Sequence, residues 1–218
     1  MKSENTFGKH LFFFMDIFLK LYYNKGKGDK EAMSKRKSVG AQHSMCVQPA
    51  FLIGTYDEDG NVNFAPITWV SVTCDADHYI LVISMFGTKK TKKNVINTRL
   101  LSANLVSTDM LYLMDYFGSS SGSNVTKNKR SYGYSNGEIL QVPTLGLSKW
   151  VYECEVKTIV NTGDSDTFFC DIKNVQIDKD IDISAGIDLT LFDPVIYSGH
   201  YHSIGKHLGE IGDFIKEK

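Results

Sequence analysis

Two strongly alternating segments in the C-terminal half limit the folds available to this chain. Residues 150 to 160, WVYECEVKTIV, and residues 167 to 177, TFFCDIKNVQI, each place apolar and polar side chains in turn. This period of two is typical of strands that bury one face. The linker between them contains NTGDSD, which is short and rich in turn-forming residues, so we predict an antiparallel pair.

The N-terminal half adds further short strands. AFLIGTY (50 to 56), the acidic turn DEDGN and VNFAPITWVSV (62 to 72) predict a hairpin whose Gly60 takes a positive φ. HYILVISM (78 to 85) and LLSANLVS (100 to 107) read as two more strands. Because about six or seven short strands accompany two or three short helices, and no strand-helix-strand unit carries GxGxxG, the pattern favours an antiparallel barrel over a doubly wound sheet.

Two helices and one long loop complete this outline. FGTKKTKKNVINT predicts a short helix that begins near Thr91. STDMLYLMDYFG predicts another, because Met110, Leu113, Met114 and Phe117 have helical spacing and a glycine follows them. Residues 118 to 137, GSSSGSNVTKNKRSYGYSNG, are polar and rich in Gly and Ser, so we expect a loop that contributes nothing to the core.

The charge and cysteine content exclude several classes of function. The 218 residues include 24 Lys and Arg against 25 Asp and Glu, a net charge of -1. A chain so balanced has no overall field that attracts nucleic acid, and we expect no nucleic-acid partner. The four cysteines show no CxxC spacing, so reduced thiols in a cytoplasmic protein are the simplest interpretation.

The first 40 residues form an N-terminal extension, and residues 41 to 218 form the predicted domain. LFFFMDIFLKLYY (11 to 23) contains Asp16 and Lys20 and is shorter than the roughly 20 apolar residues that a membrane span needs. No convincing signal-peptide cleavage site follows it. We therefore expect no membrane association. Three interpretations stay open for the extension: it is disordered, it forms an amphipathic helix, or it precedes a true start at Met33.

One short segment concentrates positive charge and hydroxyl chemistry. It contains Lys89, Lys90, Thr91, Lys92, Lys93 and Asn94. Three interpretations compete: a solvated helix face, a nucleic-acid patch and a monophosphate site. The spacing of Thr91 and Asn94 near one helix start supports the phosphate site, since helix N–H groups, a hydroxyl and a lysine all bind phosphate.

Side chains that could catalyse a reaction by themselves are not evident. His200 and His202 would share one face of an extended GHYHS segment, but a metal needs a third ligand, so we predict no metal site. Ser119 to Ser121 in GSSSG lie in a predicted loop without an obvious base, not at a nucleophile elbow. No distinct pair of carboxylates stands out either, so we predict no catalytic side chain. This points to a cofactor that carries the chemistry.

The ordered series of motifs resembles the flavin reductase-like, FMN-binding split-barrel family, in its flavoredoxin-type branch. The motifs are QPAFLIGTYDEDGNVNFAPITWVSV, HYILVIS with TKKNVINT, SANLVS, MDYFGSSSG, WVYECEV and YHSIGKHLGEIGDF. The resemblance covers about residues 47 to 214 and implies a mainly β fold: a six-stranded antiparallel Greek-key split β-barrel with short flanking helices. It also implies a homodimer with FMN at the edge of the barrel near the dimer partner.

The same resemblance implies the cofactor-binding residues. Thr68, Trp69, Val70 and Ser71 would lie along the isoalloxazine ring. Ser84, Lys90, Thr91 and Asn94 would hold the phosphate, and Lys89 could substitute for Lys90. Tyr116 and the GSSSG segment would cover the nicotinamide side. A simple core position for the Trp69 indole stays an alternative.

Two departures from the family concern the phosphate contacts. DADH (75 to 78) stands where relatives commonly have a pair of prolines, and Phe86 stands where a basic residue is common. The implied function is that of an FMN-dependent oxidoreductase that accepts hydride from NAD(P)H at flavin N5 and passes electrons to free flavin, ferric iron or a protein. The alternatives are an FMN-binding electron carrier that a partner protein reduces, without its own NAD(P)H site, and a split barrel that has lost FMN.

Overall fold

The computed structural model describes residues 37–41, 47–119, 132–184 and 186–209. The chain divides into two units, Met1–Gln42 and His43–Lys218, and only residues 37–41 of the first are described. The predictions for the N-terminal extension therefore lie almost entirely outside the described residues, and the domain boundary stays a prediction. Within the described ranges, no helix has the length and apolar character needed to cross a membrane.

Short strands dominate the second unit. The strands are β1 (Gln48–Pro49), β2 (Phe51–Tyr56), β3 (Val62–Ile67), β4 (Val70–Asp75), β5 (His78–Phe86), β6 (Leu100–Leu105), β7 (Tyr134–Asn136), β8 (Pro143–Leu145), β9 (Trp150–Asn161), β10 (Ser165–Ile177), β11 (Val195–Tyr197) and β12 (Tyr201–Ser203). The α-helices are α1 (Lys90–Thr98) and α2 (Leu111–Ser119), and 3-10 helices cover Thr108–Met110 and Leu189–Phe192.

Seven of these strands form one sheet in the order β3-β2-β6-β9-β10-β5-β4, and every neighbouring pair in it is antiparallel. The predicted mainly β, antiparallel architecture is therefore confirmed, as are the β2–β3 hairpin and the β9–β10 pair. Two smaller sheets, β1-β11-β12 and β7-β8, accompany it in the described part of the chain.

The sheet has seven strands where the resemblance implied six, because the segment from 62 to 72 is not one strand. It breaks at Thr68 and Trp69, where the Val70 N–H donates to the Thr68 carbonyl at 2.9 Å in a three-residue turn. The strands before and after this corner lie at opposite ends of the strand order. Three Cα steps span at most about 11 Å, so the end of β3 and the start of β4 lie within that distance although they belong to opposite edges of the sheet.

Strand β2 is buried on both faces, which explains why FLIGTY shows no alternation. Phe51 and Ile53 belong to a core formed with β5, β6, β9 and β10. Leu52 faces the other way, into a core that includes Phe64 and Phe117. This second core lies under α2 and the 3-10 helix before it, and the apolar positions predicted for this segment are all buried: Met110, Leu113, Met114 and Phe117. The helix prediction is thereby confirmed.

The prediction that residues 118 to 137 contribute nothing to the core is wrong at its C-terminal end. The Tyr132 ring packs edge-on against Phe117, with centroids 4.9 Å apart, and against Phe64 at 5.7 Å. The chain then continues as β7. The two tyrosines of SYGYS, Tyr132 and Tyr134, indicated packing, but the prediction relied on the polar composition of the segment. Residues 120 to 131 of this predicted loop lie outside the described residues.

A buried carboxylate fastens the segment between β7 and β8. Glu153 of β9 is fully buried and accepts hydrogen bonds from the backbone N–H groups of Glu138, Ile139 and Leu140 at 2.7 to 3.0 Å. The side-chain amides of Asn174 and Gln176 donate to the same carboxylate at 2.7 and 2.8 Å. Burial alone would raise the pKa of Glu153, but these hydrogen bonds hold it at about 2.

Candidate functional site

A cleft of about 700 Å³ opens between the β2–β3 turn, the start of α1 and the end of α2. We call it the lysine cleft. Its lining residues are Asp57, Glu58, Asp59, Asn63, Phe64, Ala65, Pro66, Thr88, Lys89, Lys90, Thr91, Lys93, Asn94, Asn97, Phe117, Gly118 and Ser119. Its volume is within the range of small-molecule and cofactor sites, roughly 300 to 1,000 Å³.

The start of helix α1 is suited to an anion. Its N-cap residue is Lys89, which has an extended backbone and makes no capping hydrogen bond, and no acidic side chain lies in the first turn. The first N–H groups of a helix have no partner within it and carry partial positive charge. Lysines at this end therefore repel both one another and the helix dipole, and a bound phosphate would relieve that repulsion.

Buried hydrogen bonds hold the polar side chains behind this helix start. The Asn63 Nδ2 donates to Thr91 Oγ1 at 2.8 Å, and the Asn94 Nδ2 donates to Thr55 Oγ1 at 3.0 Å. Each of these four side chains belongs to a residue no more than 6% exposed. Because the Asn63 amide donates to the Thr91 hydroxyl oxygen, the hydroxyl hydrogen of Thr91 remains available to another acceptor.

Asp57 joins the acidic turn to the lysine segment. Its Oδ1 accepts from the backbone N–H groups of Asn61 at 2.8 Å and Asp59 at 3.1 Å, which closes the turn around Gly60. Its Oδ2 lies 2.9 Å from the Lys90 Nζ. Burial alone would raise the pKa of Asp57, but the hydrogen bonds from Lys90 and Asn61 outweigh it and keep this pKa below its usual value.

A second cleft, of about 810 Å³, adjoins the first and shares Pro66, Gly118 and Ser119 with it. We call it the tyrosine cleft. Its other lining residues are Thr68, Tyr112, Met114, Asp115, Tyr116, Tyr197 and Tyr201. The Tyr201 hydroxyl donates to Asp115 Oδ1 at 2.8 Å, and burial together with this carboxylate raises the pKa of Tyr201 to about 12. Aromatic walls of this kind suit a planar ring.

The structure brings five of the predicted site residues to the two clefts. Lys89, Lys90, Thr91 and Asn94 line the lysine cleft, and Thr68 lines the tyrosine cleft. Tyr116, Gly118 and Ser119 also line the tyrosine cleft, and their covering of the nicotinamide side stays a prediction. The remainder of the GSSSG segment lies outside the described residues.

The other four predicted residues lie along the sheet beyond the clefts. Val70 is buried in the core, Ser71 is exposed, and the Trp69 indole is 40% exposed. The Trp69 carbonyl accepts from the Ser84 N–H at 3.0 Å, and the Ser84 hydroxyl lies 2.7 Å from Thr167 Oγ1. A core position for the Trp69 indole is not what the structure shows, and the contact of these four residues with FMN stays a prediction.

Three residues that matter to these clefts were missed by the sequence analysis. Asn63 occupies an inward-facing position of β3 opposite Thr55, and a buried Asn in an alternating strand could have indicated a polar site. Asp57 was placed in the acidic turn and was not predicted to pair with a lysine of the 89–93 segment. Tyr201 comes to its cleft from a distant strand, and no local pattern indicates that position.

The lysine cleft offers cations and hydrogen-bond donors, and the adjoining tyrosine cleft offers aromatic side chains. Among the described residues, no group of three or more His, Cys, Asp and Glu side chains is placed to bind a metal ion. His200 and His202 lie on or beside the edge strand β12 without further ligands within such a group.

The family model described as the flavin reductase like domain matches residues 43–205. The structure is similar to the flavoredoxin of Desulfovibrio vulgaris (Miyazaki F), with a TM-score of 0.75 and 24% identity over 83% of this chain and 100% of that chain. It is also similar to the flavoredoxin from Methanosarcina acetivorans, with a TM-score of 0.73 and 20% identity over 82% of this chain and 97% of that chain.

A third solved structure is the FMN-binding protein from Thermus thermophilus with bound p-hydroxybenzaldehyde. It has a TM-score of 0.65 and 21% identity over 84% of this chain and 99% of that chain. No curated protein sequence matches the chain. These structural likenesses show the fold, while the family model covers most of the sequence. The chain belongs to the flavin reductase-like domain family, and its function is a flavin-related redox function.

Proposed function

We propose that this protein is an FMN-dependent oxidoreductase that takes hydride from NAD(P)H and passes electrons to an acceptor. The observation that carries the proposal is the junction of the two clefts at Pro66, Gly118 and Ser119. A flavin mononucleotide has one phosphate and one planar ring system, and the lysine and tyrosine clefts offer one environment for each. Bound FMN would supply the capacity to accept a hydride, which no side chain of the protein provides.

The lysine cleft would bind the phosphate. Uncapped N–H groups at the start of α1, the Thr91 hydroxyl and neighbouring lysines are donors and cations that a phosphate requires. Thr91 and Asn94 are held in place by Asn63 and Thr55, so little conformational entropy is lost when they bind a ligand.

The tyrosine cleft would place the reacting rings. Tyr116 and Tyr201 line it, and Thr68 approaches it from the corner between β3 and β4. In this proposal the protein stacks the donor and the flavin, orients them and excludes water, and no side chain transfers a proton. The FMN-binding protein from Thermus thermophilus has a planar conjugated ligand bound, p-hydroxybenzaldehyde, which supports the proposal that this chain binds such a ligand too.

The proposal includes a homodimer and a cytoplasmic location. The large apolar side chains of Trp69 and Phe86 are 40% and 56% exposed, which is typical of a surface that a partner covers. Size-exclusion chromatography with light scattering tests the dimer: a mass of twice the chain supports it, and a monomer at micromolar concentration contradicts it. The free cysteines Cys74, Cys154 and Cys170 support a reducing compartment.

The central test is an anaerobic absorbance titration of the purified full chain. FMN is added first, and NADPH or NADH is added afterwards. The proposal expects a flavin spectrum that shifts on binding and then bleaches with one of the nicotinamides. A protein that binds FMN but leaves it oxidised with both donors would instead be an electron carrier that needs a partner protein. Failure to bind FMN at all would overturn the proposal.

A further inference from the structure

The lysine cleft contains as many carboxylates as lysines. Lys89, Lys90 and Lys93 line it, and so do the three acidic residues of the β2–β3 turn, Asp57 to Asp59. Lys90 and Asp57 form an ion pair of 2.9 Å in which both side chains are mostly buried, 23% and 16% exposed. Such a pair has little charge left for a ligand. The lysine that the family resemblance assigns to the phosphate is thus already neutralised within the protein.

The neighbouring Lys92 is directed elsewhere. Its Nζ lies 2.6 Å from Asp166 Oδ2 and 3.3 Å from the Asp164 carbonyl, so it connects α1 to β10 and does not line the cleft. Lys92 therefore provides a matched control, because it has the same charge on the same helix without access to the cleft.

Lys89 and Lys93 differ from both of these lysines. They are exposed, they are four residues apart, and the Lys93 N–H donates to the Lys89 carbonyl at 3.1 Å. Among the described residues, no carboxylate pairs with either of them. Lys89 is the N-cap of α1 and Lys93 lies in its first turn, so both positive charges lie near the positive end of the helix dipole, which is unfavourable for them. An anion in the cleft would offset this unfavourable interaction.

We propose that Asp57 withdraws Lys90 from ligand recognition, and that Lys89 and Lys93 are the cations that bind the ligand phosphate. This inference rests on the proposed function, because it takes the phosphate of FMN as the ligand group. In this inference Asp57 opposes FMN binding. Its negative charge holds Lys90 in the ion pair and lies close to where the phosphate dianion of FMN would bind.

The two oxygens of Asp57 allow this role to be isolated. Oδ1 closes the turn by accepting from the Asn61 and Asp59 N–H groups, and Oδ2 faces Lys90. An Asn at position 57 retains an oxygen for the turn and removes the negative charge. Asp57→Asn should therefore release Lys90 without dismantling the turn. Removing both partners with Asp57→Asn and Lys90→Gln leaves the net charge of the cleft as it was.

The test measures the affinities of full-length variants for FMN and for riboflavin, which lacks the phosphate. We expect Lys93→Gln to weaken FMN binding by about tenfold, the loss of one charge-assisted bond. Asp57→Asn should tighten FMN binding, by up to about fivefold for a partly exposed charge. The double variant Asp57→Asn/Lys90→Gln should stay within about threefold of the wild type. Lys92→Gln should leave FMN affinity unchanged, and riboflavin affinity should not change in any variant.

Two results would overturn the inference. One is a double variant that loses as much FMN affinity as Lys93→Gln, since Lys90 would then bind the phosphate directly. The other is weaker FMN binding by Asp57→Asn with unchanged riboflavin binding. If a variant loses affinity for both FMN and riboflavin and its thermal unfolding is also shifted, the substitution has damaged the fold. Lys93→Arg, which retains the charge, is then measured instead. FMN affinity near that of the wild type supports the inference, and a tenfold loss contradicts it. Failure of the proposed function is distinct, because the wild-type chain would then bind neither flavin or would bind FMN that neither nicotinamide reduces.

Discussion

Asn63 and Thr91 are joined by a hydrogen bond of 2.8 Å from Nδ2 to Oγ1, which links strand β3 to the first turn of helix α1. The amide donates, so the hydroxyl hydrogen of Thr91 is available to a ligand in the lysine cleft. Asn63 thereby determines which way a buried hydroxyl is polarised, and the effect of either side chain on ligand binding should depend on the other.

The first prediction concerns this pair. Thr91→Val and Asn63→Leu should each weaken FMN binding by about tenfold, because each removes or disorients one donor to the phosphate. The double variant should lose little more than the worse single variant, since the two residues act through one hydrogen bond. Isothermal titration calorimetry measures both affinities.

The control for this pair of variants is Thr98→Val on the same helix. The Thr98 hydroxyl donates to the Asn94 carbonyl at 2.9 Å, and Thr98 does not line the lysine cleft. Its FMN affinity should match the wild type. Strictly additive losses in the Asn63 and Thr91 variants would contradict the coupling.

A second prediction concerns pH and Glu153. The folded protein holds the pKa of Glu153 at about 2, below its ordinary value of 4.5. A lowered pKa stabilises the fold above pH 4.5, and this contribution is lost as the pH falls from 4.5 towards 2. At about 1.4 kcal/mol for each pKa unit, the contribution is about 3 kcal/mol.

Glu153→Gln should remove this contribution, because a neutral amide would place its own N–H groups against the backbone donors of the 138–140 segment. Urea unfolding at several pH values measures it: the difference in free energy of unfolding between wild type and variant should be largest near pH 7 and shrink below pH 4. A difference that does not change with pH would mean that the charge of Glu153 contributes nothing.

The third prediction follows from a close approach at Gly54. A methyl group at this position would overlap the Pro143 carbonyl oxygen and Ser102 Oγ, which hydrogen bond to each other. Gly54→Ala should lower the free energy of unfolding by about 2 to 3 kcal/mol, because a backbone atom cannot move aside at low cost. Gly205→Ala is the control, since a methyl there meets no atom within 4 Å, and its stability should stay within about 0.5 kcal/mol of wild type.

The fourth prediction separates ligand contact from packing at Trp69. Because the indole is 40% exposed, Trp69→Ala should cost less than about 2 kcal/mol of stability, below the usual cost of removing a core aromatic. If Trp69 contacts the flavin ring, the absorbance spectrum of bound FMN should change. Trp150→Ala provides the contrast: its ring packs against Phe192 at a centroid distance of 5.1 Å, so stability should fall while the spectrum is retained. An unchanged spectrum with Trp69→Ala would exclude the ring contact.

The strands and helices were largely predictable because each has a strong local pattern. The alternation of β9 and β10 and the spacing of Met110 to Phe117 each specify one buried face. The break at Thr68 was not predictable in this way, because Ile67, Thr68, Trp69 and Val70 are all residue types that favour strands. The turn is revealed only by the pairing of β3 with β2 and of β4 with β5.

The site was predictable only where its residues follow one another in sequence. Lys89 to Asn94 share one helix start, so their spacing indicated their proximity. The opposite wall consists of Asp57 and Asn63, whose contacts with Lys90 and Thr91 depend on how β3 packs against α1. The ion pair that neutralises Lys90 is a property of that packing, and a count of lysines overstates the positive charge of the cleft.

The corner at Thr68 and Trp69 also determines the order in which the protein can assemble during synthesis. The hairpins on either side of it, β2–β3 and β4–β5, have short connections and can form as soon as they leave the ribosome. Each hairpin has one strand whose second neighbour is synthesised later. Strand β2 pairs with β6, and β5 pairs with β10, where Ile80 is opposite Asp171. Until β10 is synthesised, β5 has one unpaired edge, and this strand contains the apolar segment ILVI. An unpaired apolar strand edge is a site at which a nascent chain aggregates.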